Sequence, residues 1–386
     1  MKFSNRVPWP THPNPLTQKI EALGKENILD LTLSNPTQCQ FEYLKSDILQ
    51  SFLNPQNLHY EPLPHGLKKA REAVSAYYKE KNIDIHPDEI FLTASTSEAY
   101  SFLFRLLLEP GDTILAPQPS YPLFEYLTAL HDIQMDHYPV IYQNSWRFNL
   151  DPKKTGASAI LIVNPNNPTG NFVQASEADH FISFSKSQSV PIISDEVFLD
   201  FSWNAGTSKP ISFASRSETL CFTLGGISKM LGLPQMKLSW IVVTGPEKIK
   251  KEALERLETI ADTYLSVSTP AQNALPEWFG LAHDIQKEIS QRLKQNYEKL
   301  KNETGRQDFA KLLDVQGGWY AILELPKNQN DEERAMQLLE KEHVLTHPGY
   351  LFDFKSGDYL VLSLLPPPDI FSKGVGRIMQ NFSKHL

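Results

Sequence analysis

Between about Ile90 and Val243, short apolar runs alternate with amphipathic stretches. This alternation is typical of parallel β-strands connected by helices. Strands are predicted at Ile90–Leu92, Thr113–Ala116, Ala159–Val163, Pro191–Ser194, Thr219–Leu224 and Leu238–Val243. The pattern therefore predicts an α/β sheet. In such sheets ligands bind beyond the carboxyl ends of the strands, so the residues that follow each strand are the candidates for chemistry.

A helical pattern follows this region. Apolar residues recur at helical spacing and predict one long helix from Ala271 to about Glu303, in which Pro276 can kink the start. Beyond it, the sequence predicts two strands and two helices: Gly318–Leu325, Asp331–Glu342, Tyr359–Leu365 and Ile370–Lys384. This second part of the chain is typical of a smaller α+β domain.

The chain has 386 residues, which exceeds the usual size of one hydrophobic core. We predict an N-terminal arm and part of a small domain over residues 1–45. A large domain is predicted over 46–270, and the long linking helix with a small C-terminal domain over 271–386. Pro-rich runs at residues 8–15 and 366–368 predict an extended arm and a break between strand and helix.

Composition and charge exclude several classes of protein. Hydrophobic residues make up 41% and charged residues 21%, as in ordinary globular proteins. The net charge of −8 disfavours a nucleic-acid partner, because binding to phosphate backbones needs clustered Lys and Arg. No apolar run approaches the roughly 20 residues that span a bilayer, and the first 20 residues lack a signal peptide. We predict a cytoplasmic protein with no membrane span.

The cysteine count is also restrictive. Cys39 and Cys221 are the two cysteines of the chain, too few for a disulfide framework or a multi-thiolate metal site. Small buried hydrophobes are the simpler interpretation of both residues. No metal site is predicted.

Ser95-Thr96-Ser97-Glu98 lies between a predicted strand and an amphipathic helix. Ser95 and Glu98 have the spacing of a capping box, which by itself indicates only a helix start. A turn with three hydroxyls and free backbone N–H groups also suits a phosphate. Both interpretations stay open at this stage.

Three later strands end in polar residues. Asn167 lies in the loop Asn164–Gly170 after one strand, Asp195 ends the next strand, and Lys229 follows the third. Taken singly, these are a rigid turn, a solvated acidic residue and a surface lysine. Taken in order, they place an amide, a carboxylate and an amine at one edge of the predicted sheet.

Together these segments resemble fold-type I enzymes of the class I/II aminotransferase family, which use pyridoxal 5′-phosphate (PLP). The resemblance runs over most of the chain, and its most specific parts are Asn166–Gly170, Ser194–Phe198 and Ser228-Lys229 followed by Lys237. It implies a large domain with a mostly parallel seven-stranded sheet flanked by helices, plus a smaller α+β domain. It also implies a homodimer with shared active sites.

The resemblance assigns a role to each position. Lys229 forms a Schiff base with PLP and then moves a proton on the substrate, and Asp195 keeps the pyridine nitrogen protonated. Asn167 donates to the phenolic oxygen of PLP, and Tyr121 stacks on its ring, although a core aromatic is the simpler interpretation of Tyr121. The phosphate is assigned to Ser95, Thr96, Ser97, Ser228 and Lys237, with Tyr60 reaching in from the second subunit.

Three positions depart from the family pattern. Phe198 stands where the family usually has a tyrosine that donates to the phenolic oxygen, and Lys237 stands where an arginine is usual. Val361 occupies the place of the arginine that binds the substrate carboxylate in many relatives. Burial of a carboxylate without a cation is costly, so either another group binds it or the substrate is not an ordinary α-amino acid.

We predict a PLP-dependent aminotransferase that moves an amino group from a small-molecule amine or amino acid to a keto or aldehyde acceptor. A PLP-dependent lyase, decarboxylase or cyclase is the alternative that Val361 favours. A non-catalytic PLP-binding regulator is the third hypothesis. The acidic charge and the short segment ahead of the family resemblance disfavour it.

Overall fold

A computed structural model describes residues 3–7, 14–42, 45–206, 210–306, 309–326, 330–355 and 359–384. The α-helices in these ranges are α1 Pro15–Leu23, α2 Lys45–Gln50, α3 Lys68–Glu80, α4 Thr96–Leu107, α5 Leu123–Leu130, α6 Ala175–Gln188, α7 Ile227–Met230, α8 Glu247–Tyr264, α9 Thr269–Gly280, α10 Ala282–Thr304, α11 Asp331–Glu342 and α12 Pro368–Lys384. The strands are β1 Leu29–Asp30, β2 Ile90–Thr93, β3 Thr113–Gln118, β4 Gln134–Tyr142, β5 Trp146–Phe148, β6 Ala159–Val163, β7 Ile192–Asp195, β8 Cys221–Gly226, β9 Ser239–Thr244, β10 Lys311–Leu312, β11 Tyr320–Glu324, β12 Val344–Leu345, β13 His347–Pro348 and β14 Tyr359–Ser363.

The predicted mostly parallel sheet flanked by helices is confirmed. Its strand order is β2-β9-β8-β7-β6-β3-β4-β5, and β8, β7, β6, β3 and β4 run parallel. The described residues give it eight strands, so the expected number of seven was wrong. The additional strand is β5, which folds back antiparallel on β4 at one edge. β4 was missed because its buried and exposed residues alternate, unlike the continuous apolar runs of the central strands.

The central strands are buried on both faces. All five residues of β6 are buried, and they alternate between two hydrophobic clusters: Ile160 and Ile162 belong to one, and Ala159, Leu161 and Val163 to the other. Successive side chains of a strand point to opposite faces, so each cluster covers one face of the sheet. This packing explains why the apolar runs predicted these strands correctly.

A second sheet is formed by the C-terminal part of the chain. Its order is β10-β11-β14-β13, with all pairs antiparallel. β1 pairs in parallel with β12, and the Ser363 N–H donates to the Leu31 carbonyl at 2.7 Å. The segment around β1 therefore packs with residues more than 300 positions away. This pairing supports the proposed assignment of part of residues 1–45 to the smaller domain.

The helix predicted as one element over residues 271–303 is two helices, so that prediction was wrong. α9 ends at Gly280 and α10 begins at Ala282, and the Leu281 N–H closes a tight turn on the Trp278 carbonyl at 3.0 Å. Glycine is unfavourable in a helix interior, which permits the break at this point. Pro276 lies inside α9.

The two Pro-rich runs differ in outcome. The predicted break at residues 366–368 is confirmed, because β14 ends at Ser363 and α12 begins at Pro368. Residues 8–13 of the predicted arm lie outside the described residues, and Pro15 begins α1. None of the helices in the described ranges combines the length and the apolar character that crossing a bilayer requires.

Candidate active site

Four of the predicted site residues follow adjacent parallel strands. Tyr121 follows β3, Asn167 follows β6, Asp195 ends β7, and Lys229 lies in α7 directly after β8. Asp195 pairs with Val163 on one side and with Leu224 on the other. The carboxyl ends of parallel strands meet at one edge of a sheet, so all four residues share that edge.

Asp195 is a buried carboxylate with two hydrogen-bond donors. It is 7% exposed, and the Tyr100 hydroxyl donates to its Oδ2 at 2.8 Å. The Val197 backbone N–H donates to Oδ1 at 3.2 Å. Burial raises the pKa of Asp195, and the Tyr100 hydrogen bond, the Val197 N–H and the Lys229 charge oppose that rise.

Tyr100 was not predicted from the sequence as a site residue. It lies on α4 among the buried residues Ala99, Phe102, Leu103 and Phe104. The available signal was a hydroxyl on an otherwise apolar helical face, because a buried tyrosine O–H usually has a partner. Its partner, Asp195, lies 95 positions away and could not be identified from spacing.

Lys229 lies in an aromatic surrounding on a one-turn helix. Its Nζ is 5.1 Å from the ring centroid of Trp319 and 5.6 Å from that of Phe198. Burial lowers the pKa of Lys229 below its usual value, and the charge of Asp195 partly opposes this. A lowered pKa increases the neutral, nucleophilic fraction of an amine. No pattern in the sequence indicates that Trp319 lies beside this lysine.

The loop from Asn164 to Gly170 is rigidly held by its own side chains. The Asn164 amide donates to the Ile211 carbonyl at 2.6 Å, and its Oδ1 accepts the Val173 N–H at 3.0 Å. The Asn166 amide donates to Thr169 Oγ1 at 2.7 Å and to the Pro119 carbonyl at 3.0 Å.

Asn167, in the same loop, is 7% exposed, and its Oδ1 has no partner among the described residues. A buried amide of this kind normally has a hydrogen-bond partner, so it is suited to a ligand.

Gly170 closes this loop against the segment that precedes β11. It has φ +68, and an added Cβ would lie 2.5 Å from the Gly317 carbonyl oxygen. Gly156 has φ +88, but its Cβ would meet nothing within 4 Å.

We expect Gly156→Ala to lower the free energy of unfolding by about 1–2 kcal/mol through the strained backbone. Gly170→Ala should lower the free energy of unfolding by roughly 1–3 kcal/mol more, because its Cβ is also overpacked. Urea unfolding of both variants measures the difference. Equal losses would contradict this account.

The turn at Ser95 is a helix cap, as predicted. Ser95 Oγ accepts the Glu98 N–H at 3.2 Å, whereas the Glu98 carboxylate accepts the N–H of Ala94 at 2.6 Å. The reciprocal bond of the predicted capping box is thus displaced by one residue. Thr96 and Ser97 occupy the first turn of α4, where backbone N–H groups lack intrahelical partners. This geometry leaves the phosphate role of the turn a prediction.

The remaining predicted phosphate ligands are more accessible. Lys237 is exposed, with φ 52, and directly precedes Leu238 and β9. Because β9 runs antiparallel to β8, its start lies at the same sheet edge as the end of β8. Ser228 is partly exposed beside Lys229, and Tyr60 is 65% exposed. Their roles stay predictions.

Glu196 is a second buried carboxyl group, and the sequence analysis gave it no role. Ser194 Oγ and the Phe213 N–H donate to its Oε1 at 2.9 Å and 2.7 Å, and Ser212 Oγ donates to Oε2 at 2.5 Å. Burial raises the pKa of Glu196 to about 7, and these three donors oppose the rise. The group therefore ties the segment around Ser212 to the end of β7.

The raised pKa of Glu196 predicts a pH-dependent stability. The unfolded chain ionises this group near its usual value, whereas the folded chain keeps its proton up to about pH 7. Folding stability from this group is therefore complete below about pH 4.5 and is lost as the pH rises through 7. Relative to Glu196→Gln, the wild type should lose about 3 kcal/mol of unfolding free energy between pH 4.5 and 7.5. Parallel pH profiles of the two proteins in urea unfolding would contradict the assignment.

Val361 is part of the hydrophobic core. Val361 is fully buried in β14, between Ile322 of β11 and His347 of β13. Three arginines elsewhere in the sequence were candidates to supply the positive charge that Val361 lacks. Arg71 donates to the Gly66 and Pro87 carbonyls and to Asp88, Arg105 donates to the Ser101 carbonyl, and Arg147 is exposed on β5.

The fold is an α/β architecture whose sheet edge gathers a buried carboxylate and an amine. Residues 26–360 match the family Aminotransferase class I and II, and the chain belongs to that family, whose members depend on PLP. The protein is an aminotransferase. Glutamate-pyruvate aminotransferase AlaA of Haemophilus influenzae is 24% identical over 97% of this chain and 95% of its own length. Alanine aminotransferase of Mycobacterium tuberculosis is 26% identical over 90% of this chain and 83% of its own length.

A solved structure supports the same fold. The alanine aminotransferase from Pyrococcus furiosus superposes with a TM-score of 0.88 at 24% identity, over 99% of this chain and 100% of that chain. At this identity the similarity establishes the fold alone. The predicted fold class and the aminotransferase prediction are both confirmed by these comparisons.

Proposed function

We propose that this aminotransferase binds PLP through Lys229 and transfers an amino group between an amino acid and a keto acid. The observation that carries the proposal is a buried carboxylate and a desolvated amine at the ends of neighbouring strands. Burial raises the pKa of Asp195 and lowers the pKa of Lys229, so each environment favours the less charged form of its group. Paired groups with such perturbed pKa values are typical of active sites.

The residues present fit PLP. Asn167 is buried, and its Oδ1 has no hydrogen-bond partner in the described part of the chain, while Asp195 has one hydroxyl and one backbone donor that hold its orientation. Tyr121 is 40% exposed at the same edge, which leaves a ring face available for stacking. When bound, PLP supplies the electron sink for the substrate carbanion.

Each side chain has a task toward that chemistry. Lys229 would supply the amine that captures the aldehyde and that later moves a proton on the substrate. Asp195 would hold a proton on the ring nitrogen, with Tyr100 fixing the carboxylate. Asn167 and Tyr121 would orient the ring, and the turn from Ser95 to Ser97 with Ser228 and Lys237 would bind the phosphate.

Transamination is favoured over elimination, decarboxylation or cyclisation by the activities for which the relatives are named. The curated relatives in Haemophilus influenzae and Mycobacterium tuberculosis are both alanine or glutamate-pyruvate aminotransferases. We therefore propose small amino acids and their keto acids as the substrates to test first. A cytoplasmic location stays a prediction from the sequence.

We also propose a homodimer. Leu53, Leu58 and Tyr60 are 80%, 94% and 65% exposed within one short stretch of chain. A concentration of exposed large apolar residues is typical of an interface. A second copy of this chain is the partner that the family resemblance implies, with Tyr60 contributing to the other subunit's site.

Borohydride reduction of the PLP-loaded protein, followed by peptide mapping, tests the covalent assignment. The expected result is one cofactor adduct, on the peptide that contains Lys229. L-alanine and L-glutamate should then convert the visible absorption band of unreduced protein to that of the amino form of the cofactor. An adduct on another lysine, or no adduct, would overturn the proposal.

A further inference from the structure

Trp319 carries an unpaired N–H in the interior of the protein. Its side chain is fully buried, and its Nε1 has no hydrogen-bond partner among the described residues. Buried donors almost always have an acceptor, because water is lost without compensation otherwise. The Trp319 ring centroid lies 5.1 Å from Lys229 Nζ, so the indole that carries this N–H packs against the proposed reacting amine.

The backbone around Trp319 is held from two sides. The Gly317 N–H donates to the Gly170 carbonyl at 3.0 Å, and the Gly318 N–H donates to the Phe201 carbonyl at 2.9 Å. Trp203 Nε1 donates to the Gly318 carbonyl at 2.7 Å. These bonds fix the backbone directly before Trp319 relative to both the Asn167 loop and the segment after Asp195. A donor positioned in this way is preorganised for an acceptor that arrives with a ligand.

All ten arginines of the chain are described, and each is engaged elsewhere or exposed. Carboxylates pair with Arg6, Arg71, Arg216, Arg256 and Arg306. Backbone carbonyls accept from Arg105, Arg292, Arg334 and Arg377, and Arg147 is exposed on β5. In the described chain, none of these guanidinium groups is therefore bonded to Phe198, Trp319 or Lys229. A neutral hydrogen-bond donor is then a further kind of group that can bind an anionic oxygen beside Lys229.

His347 does not supply the missing positive charge either. It is the antiparallel partner of Val361, and it hydrogen-bonds the backbone of Thr32. Burial lowers the pKa of His347 to about 4, so the imidazole is neutral at pH 7. Among the described residues, Trp319 thus has both an unpaired side-chain N–H and a ring that packs against Lys229.

We propose that the Trp319 indole N–H donates a hydrogen bond to an anionic oxygen of the bound reactants. Two acceptors have this chemistry once the phosphate is assigned to the turn from Ser95 to Ser97: the phenolic oxygen of PLP and the carboxylate of the substrate. Phe198, whose ring lies 5.2 Å from that of Trp319, brings no hydroxyl to the site, and Val361 brings no cation. The inference rests on the proposed function, because both oxygens require PLP on Lys229.

Trp319→Phe removes the N–H and keeps an aromatic ring. Trp146→Phe is the matched control, because Trp146 is also buried, its Nε1 has no partner among the residues that the structure describes, and its ring contacts Tyr142 and Phe354. Trp319→Leu is a second variant without the donor, for use if the phenylalanine variant does not fold. Circular dichroism identifies the folded variants.

Two spectroscopic readouts distinguish the two oxygens. A donor to the phenolic oxygen competes with the proton that this oxygen shares with the Lys229 nitrogen. Its loss should raise the pH midpoint of the visible band, without substrate, by about 0.5–1 unit. A donor to the carboxylate instead predicts about 3- to 10-fold weaker binding of L-alanine, with binding of ethylamine unchanged. Both quantities come from absorbance titrations rather than from turnover.

Either change, absent from Trp146→Phe, supports the inference. An unchanged pH midpoint together with unchanged L-alanine binding in Trp319→Phe would overturn it, as would equal changes in the Trp146 control. A wild-type protein that shows no visible band with PLP and no adduct at Lys229 would instead refute the proposed function, and this inference with it.

Discussion

Lys229→Ala is expected to reduce kcat by roughly 10⁴-fold, because we propose that this one side chain supplies both the covalent attachment and the proton transfer. PLP should still bind through its phosphate and ring contacts, but borohydride should fix no cofactor to the protein. The measurement is transamination of L-alanine, followed by coupled detection of the keto product.

A small primary amine provides a sharp control for this variant. Removal of the Lys229 side chain leaves space beside Trp319 and Phe198, which lie 5.1 Å and 5.6 Å from the original Nζ. Added methylamine should therefore restore part of the rate in a concentration-dependent way. Lys250→Ala is the control, because Lys250 forms an ion pair with Glu89 and has no proposed role in catalysis. This variant should leave kcat unchanged. Full activity of Lys229→Ala without added amine would refute the role.

Asp195→Asn is expected to lower kcat by about 10²- to 5 × 10³-fold, since loss of one partner of a buried charge pair costs about 3–5 kcal/mol. The amide retains the shape of the side chain, and its oxygen can still accept the Tyr100 hydroxyl. The Val197 N–H loses its acceptor in this orientation, so a matched control is needed to separate that structural loss from the charge that we propose lies under the ring nitrogen. The measurement is kcat at saturating PLP, so that weakened cofactor binding does not contribute.

Asp200→Asn is the matched control for this change. Asp200 accepts the Tyr77 hydroxyl at 2.9 Å and forms an ion pair with Lys81 at 2.5 Å, so it is a paired carboxylate in the same segment of chain. Its substitution should lower the free energy of unfolding but leave kcat near that of the wild type. If both variants lost activity equally, the special role of Asp195 would be refuted.

The central part of the fold followed from the sequence because burial on both faces leaves a continuous apolar run. β6 is the clearest case, with all five predicted residues in the strand. β4 has no such run, because it lies next to the sheet edge and its exposed residues alternate with buried ones. The break between α9 and α10 was missed because the helical spacing of apolar residues continues across it, while the single residue Leu281 interrupts the backbone pattern.

The sequence by itself determined which chemical groups end the strands: an amide, a carboxylate and an amine in a fixed order, each directly after an apolar run. Only the tertiary structure decided what surrounds them. Tyr100 reaches Asp195 across 95 positions, and Trp319 reaches Lys229 across 90 positions because the segment before β11 bonds to Gly170 and Phe201. Local patterns record the burial of a residue's own strand or helix, whereas the identity of a distant neighbour depends on how separate elements pack.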